Sequence, residues 1–111
     1  MEKEILISRF FVAIRCLADD GVIRGLNTFT ERYHLNRRNI IKLRNDTKGH
    51  DGIFSPVWLM YLARDYMVSP TWLLLGEGNF YRDGWDANKV RTLQKMQIPR
   101  KPKITELQLL I

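Results

Sequence analysis

Cysteine, histidine and long apolar runs are scarce in this chain, and each scarcity excludes something. Cys16 is the single cysteine, so no internal disulfide can organise the fold, which fits a reducing, cytoplasmic setting. The two histidines, His34 and His50, have no cysteine or carboxylate at metal-ligand spacing, so no metal centre is expected. No apolar run approaches the roughly 20 residues that span a bilayer. The opening MEKEILISRF is acidic early and lacks an h-region, so no signal peptide is expected. Glycine is sparse where a phosphate-cradling loop would need it. Gly76-Glu77-Gly78 lacks a third glycine and any strand-turn-helix setting, and reads as a helix cap and turn. Alternating strand patterns are sparse too, which leaves an all-α chain.

What is present fits one modest domain. The 111 residues and a 45% hydrophobic content argue against disorder and allow a single core. Ile7, Phe10, Phe11, Ile14, Leu17 and Ala18 recur at helical spacing and predict a helix over 4–20, stopped by Asp20-Gly21. A second, short helix is expected over TFTERY, with Asn27 or Thr28 as cap and Glu31 completing a capping box. Asn36 is a natural cap for a third helix from Arg37 to about Arg44, with Leu35, Ile40 and Leu43 as its buried stripe. The turn-rich NDTKGHDGIFS reads as a loop. Ser55-Pro56 and Ser69-Pro70 open a fourth and a fifth helix, the latter closed by Gly76. Trp58, Leu59, Leu62, Ala63 and Tyr66 form the apolar face of the fourth. Trp72, Leu73 and Leu75 are expected in the core of the fifth.

Basic residues outnumber acidic ones, 18 to 12, and their placement is uneven. The balance is +4 over residues 1–50, −2 over 51–81 and +4 over 82–111. Within Asn36 to Lys48 five basic residues face only Asp46. A clustered positive patch is the usual footprint of a polyanion partner, although a small basic protein can carry charge for solubility alone. The second helix, tight turn and third helix have the length of a DNA-binding helix-turn-helix, in which the second member enters the major groove. Arg37 and Arg38 project from the start of that helix, and Arg is the commonest bidentate reader of guanine.

Two stretches, FTERYHLNRRNIIKLRN and LARDYMVSPTWLLLGEGNFY, resemble the phage-repressor-like helix-turn-helix regulators of Cro/CI or XRE type. The likeness covers residues 8–81 and is nearest to a subgroup of Bacteroidetes mobile elements. It implies a five-helix, lambda-repressor-like domain over 1–81 with a C-terminal extension over 82–111. It also implies a sequence-specific transcriptional regulator, or repressor, that binds double-stranded DNA as a homodimer. Carried across, the base-reading positions fall on Arg37, Arg38, Ile41 and Lys42. The backbone-holding positions fall on Asn36, Arg44 and Asn45, and Lys48 adds a further phosphate contact from the charge reading. This sequence departs from the pattern in three places. Thr30 replaces a small Ala, His34 stands at a turn position where Gly is usual, and Ile41 puts an apolar side chain among polar ones. Ile41 suits either a thymine methyl or a protein surface.

The alternative reading is a protein–protein interaction module, or a phage accessory protein, on the same helices. No catalytic residue, cofactor or small-molecule ligand is expected. Cys16 and the adjacent Asp19 and Asp20 read as structural. The region after Tyr81 is polar and basic, with a short helix from Ala87 to Met96 broken off by Pro99 and Pro102. The closing RKPKITELQLLI has three readings: a free end, a phosphate-binding arm, or a docking segment, which its apolar residues favour.

Overall fold

The structure, a computed structural model, describes residues 2–97. Among these residues seven α-helices follow one another: α1 (Glu2–Asp19), α2 (Leu26–Tyr33), α3 (Arg37–Asn45), α4 (Thr47–His50), α5 (Val57–Asp65), α6 (Pro70–Leu75) and α7 (Ala87–Gln97). A 3-10 turn, Asp51–Ile53, leads from α4 toward α5. Among the described residues the one β interaction is a single antiparallel bridge, Val68 to Tyr81. The all-α expectation holds. No helix of the described region is long and apolar enough to cross a membrane. Pro99, Pro102 and the apolar stretch from Ile104 lie outside the described residues.

The long helix α1 is the spine. Ile7, Phe10, Ala13, Ile14 and Leu17 repeat at three- and four-residue spacing and are all buried. Phe10 sits at the centre, with ring centroids 5.3 Å from Phe29 of α2 and 5.1 Å from Trp58 of α5. Burying such a side chain stabilises the fold by roughly 1.5–3 kcal/mol. α5 contributes Trp58, Leu59 and Leu62 to the same core, and α6 contributes Leu73.

Local signals set most helix ends. Ser69 Oγ accepts from Trp72 N–H at 3.3 Å with Pro70 in the first turn, and Gly76 closes α6 with φ 71°. Gly76 meets two demands. Its left-handed conformation suits glycine, and a Cβ there would lie 2.7 Å from Arg9 Nη2. Arg9 of α1 in turn donates to the Leu74 carbonyl at 2.8 Å and satisfies an orphan at the helix end.

Three expectations change. The capping box at Thr28 does not form: α2 starts at Leu26, after Gly25. Thr28 therefore sits in the first turn, and its hydroxyl accepts from Arg24 N–H at 3.1 Å. The extra residues follow Leu26, which packs on the core. The NDTKGHDGIFS stretch is not an open loop, because Asp46 caps α4 and Phe54 is drawn into the core. Leu75 is not core. It is 62% exposed, since α6 ends directly after it and turns only Leu73 fully inward.

The chain after Tyr81, which the change of composition sets apart as an extension, carries the expected short helix as α7. Arg82 N–H donates to Met67 O at 2.8 Å, and Trp85 stacks on Tyr81 at 4.1 Å. Tyr81 Oη donates to Asp20 Oδ2 at 2.6 Å, tying this segment to the end of α1. α7 then lays Val90 into the shared core, 1% exposed.

Candidate nucleic-acid interface

α2 ends and α3 begins within a three-residue turn, and each residue of it has a physical task. His34 adopts the left-handed conformation, φ 55° and ψ 45°. There it closes α2 as a glycine would, with its own N–H and that of Leu35 both directed at Thr30 O. The turn geometry expected of Gly is thus taken by a residue with a Cβ, at a cost of about 1 kcal/mol. Leu35 packs partly buried against the core. Asn36 is extended, φ −80° and ψ 105°, and its Oδ1 accepts from Asn39 N–H at 3.1 Å. The expected cap is present. Thr30, the other small-residue position, is 3% exposed and satisfies its hydroxyl locally by donating to Asn27 O at 3.1 Å.

α3 is anchored on one side only. Ile40 and Leu43 are buried, 1% and 0% exposed. At about 100° per residue, Arg38, Lys42 and Asn45 fall on the side opposite this pair. Arg37, Ile41 and Arg44 form a second ridge, one flank round toward α1. Asn36, Arg37, Arg38, Lys42, Arg44 and Asn45 are exposed, and Ile41 is half-buried. No ion pair forms between Arg37, Arg38, Lys42, Arg44 or Lys48 and any other described residue. The structure therefore brings Arg38, Ile41 and Lys42 onto a continuous outer surface, with Arg37 at its edge. It sets Arg44 apart, on a groove that Arg15 of α1 also lines.

The far end of α3 is fixed by one side chain. Asp46 N–H donates to Lys42 O, ending α3, and Asp46 Oδ1 accepts from Gly49 N–H at 3.1 Å, starting α4. A Cβ on Gly49 would collide with this carboxylate at 2.3 Å, so the close approach needs glycine. His50 also lies against Asp46, with Nδ1 3.1 Å from its carbonyl. Lys48 is exposed on α4. Among the described residues no group of three or more His, Cys, Asp or Glu is placed to hold a metal.

What holds α2 in position is a cluster that the pattern reading overlooked. Asp65 of α5 is fully buried. Tyr33 Oη donates to its Oδ2 at 2.5 Å, and Arg64 Nε donates to its Oδ1 at 2.7 Å. Arg32 adds its charge at 3.9 Å. Tyr33 also stacks flat on Tyr61, 3.9 Å between centroids, beneath the Arg64 guanidinium. Burial, then its bond to the carboxylate, raises the Tyr33 phenol far above its usual range. Tyr66 beside it is pushed up to about 12, chiefly by burial. A signal existed in the sequence: Asp65 interrupts an otherwise apolar face between Leu62 and Tyr66. A carboxylate there needs partners of opposite charge.

Cys16, the one thiol, is partly exposed on α1. Burial and the nearby Asp20 and Asp19 carboxylates raise its pKa, so it stays a thiol rather than a reactive thiolate. Comparison of the chain with protein-family models, with curated proteins and with solved structures finds no match.

Proposed function

We propose that the protein is a sequence-specific regulator that binds double-stranded DNA with α3 in the major groove, after the manner of phage repressors. The observation that carries the reading is the outer face of α3. It is cationic and without ion pairs among the described residues, on a capped helix held rigidly from behind. A solubility charge needs no such mounting. A reading helix does, because base contacts depend on a fixed backbone. In this arrangement Arg38 and Lys42 lie over base edges with Arg37 beside them, and Ile41 meets a thymine methyl. Asn36, Asn45 and Lys48 hold the sugar-phosphate strands at the two ends, and Arg44 does so only if its flank reaches the backbone. α2, clamped through Asp65, is the supporting member of a helix-turn-helix within a five-helix core of α1, α2, α3, α5 and α6.

Two copies of the chain would present their α3 helices to half-sites roughly 34 Å apart, one turn of DNA.

The test is fluorescence anisotropy on duplex genomic fragments across a salt series. Log affinity should fall linearly with log salt, with a slope near −0.9 per phosphate neutralised. Arg38→Ala should shrink the preference between tight and weak fragments by about 1–3 kcal/mol, the worth of one bidentate base contact. Absence of binding to every fragment at low salt rejects the proposal. It would then favour the protein-interaction reading, in which the basic face and Ile41 meet an acidic protein.

A further inference from the structure

Two charges of opposite sign on α1, Glu4 in its first turn and Arg15 one turn from its end, form no ion pair with any other described residue. Eleven residues separate them, so they return to one side of the helix yet stand roughly 16 Å apart along its axis. Phe11 shares that side. With Arg15 it lines an open groove of about 580 Å³ between α1, the start of α2 and the junction of α3 with α4, which Arg44 lines from α3. Beside this flank the outermost strip of α1 is apolar: Ile5 is 48% and Val12 44% exposed, with the small Ser8 between them. Arg9 is not available to a partner in the same way, since it donates to the Leu73 and Leu74 carbonyls of α6.

We propose that this face of α1 binds α1 of a second copy of the chain, antiparallel, about a twofold axis near Ser8. Such an axis reverses the helix and keeps like flanks together, so the end that carries Glu4 meets the end that carries Arg15. A crossing centred between positions 8 and 9 sets Ile5 against the partner's Val12. It leaves Glu4 two residues, about 3 Å, from the level of the partner's Arg15, a gap that the two side chains span. Every contact of an isologous interface occurs twice, so two ion pairs and two apolar contacts form together. The groove supplies the room. It opens along Ser8, Phe11, Val12 and Arg15, where the partner's first turns lie, and Arg44 offers the same carboxylate a second cation. Parallel pairing would set Glu4 against Glu4 and Arg15 against Arg15, and like charges oppose it. An acidic segment of another protein would satisfy the arginines and leave Glu4 unmatched, which favours a second copy. The pairing holds whether or not α3 reads DNA, and its test contains no DNA.

Sedimentation equilibrium of the full chain over a concentration series should show monomer and dimer in exchange. Ile5→Gln with Val12→Gln, both at exposed positions, should weaken the dimer by roughly tenfold or more and leave the helical circular dichroism unchanged. Glu4→Arg and Arg15→Glu should each weaken it by about tenfold, since each sets like charges together at both sites. Mixed in equal amounts, these two variants should associate with each other as tightly as the parent chain does with itself, because every charge again meets its opposite. A monomer at every concentration, a dimer that survives the Ile5 and Val12 changes, or a mixture no tighter than either variant alone overturns the assignment. So does loss of the dimer on Leu74→Gln with Leu75→Gln, which would move the interface to α6.

Discussion

Arg32, near the end of α2, lies against a buried carboxylate with its side chain 10% exposed; Arg38, in the first turn of α3, meets only solvent. The two are the same residue type, close in sequence, on neighbouring helices. Around Arg32 the charge is met: Asp65 is buried between Arg32, Tyr33 and Arg64, and both of its oxygens accept hydrogen bonds. Around Arg38 the charge is left over, as it is at Lys42. The contrast separates charge that holds the scaffold from charge offered to a partner. A basic helix counts as an interface only where its neighbours have not already used its charges.

Breaking the absorbed side should have the largest effect. Asp65→Ala leaves Arg32 and Arg64 without their counter-charge and strips Tyr33 of its acceptor. Removing one member of a buried ionic set costs about 3–5 kcal/mol. Urea denaturation should read that loss, and a loss below about 1 kcal/mol would show that solvent already screens the cluster.

The same region should fail first in alkali. Tyr66 is buried, its hydroxyl has no hydrogen-bond partner among the described residues, and its pKa stands at about 12 against 10 for a free phenol. Tyr33 shifts in the same direction. Ionisation is thus harder in the folded chain than in the unfolded one. The stabilising contribution is complete below about pH 10 and is lost as pH rises toward 12, worth about 2–3 kcal/mol for Tyr66 alone. Melting temperature should fall over that window, and Tyr66→Phe should flatten the fall. A flat profile in the parent chain would place these rings in contact with water.

The smallest effect belongs to the free side. Arg38→Ala should change stability by no more than about 0.5 kcal/mol, as expected of an exposed residue without partners. Thermal melts would detect more. A larger loss would make Arg38 part of the scaffold and remove it from the surface available to DNA.

Several features were readable from short stretches. Asn36 caps α3, Ser69-Pro70 starts α6, Gly76 ends it, and Ile40 and Leu43 face inward, all as their local pattern implies. His34 holds the left-handed turn that the helix-turn-helix likeness assigns to glycine. These depend on hydrogen bonds and spacings within a few residues. Of the interface, the exposure of Arg37, Arg38 and Lys42 followed in the same way, from the position of the buried stripe.

Other features had no local mark. Asp46 and Gly49 wind α4 out of a stretch whose composition reads as loop, because Phe54 beyond it is pulled into the core. The short helix over Ala87 to Met96 is legible, but the burial of Val90 comes only where α7 meets α5. Arg44 belongs by composition to the basic helix and by position to the groove of α1. Helix ends, helix faces and the reserve of positive charge were determined by neighbours along the chain, since capping and periodicity act over one or two turns. Which charges remained free was decided by tertiary structure, because Asp65 reaches Arg32 and Tyr33 across more than thirty positions and only the folded core brings them together.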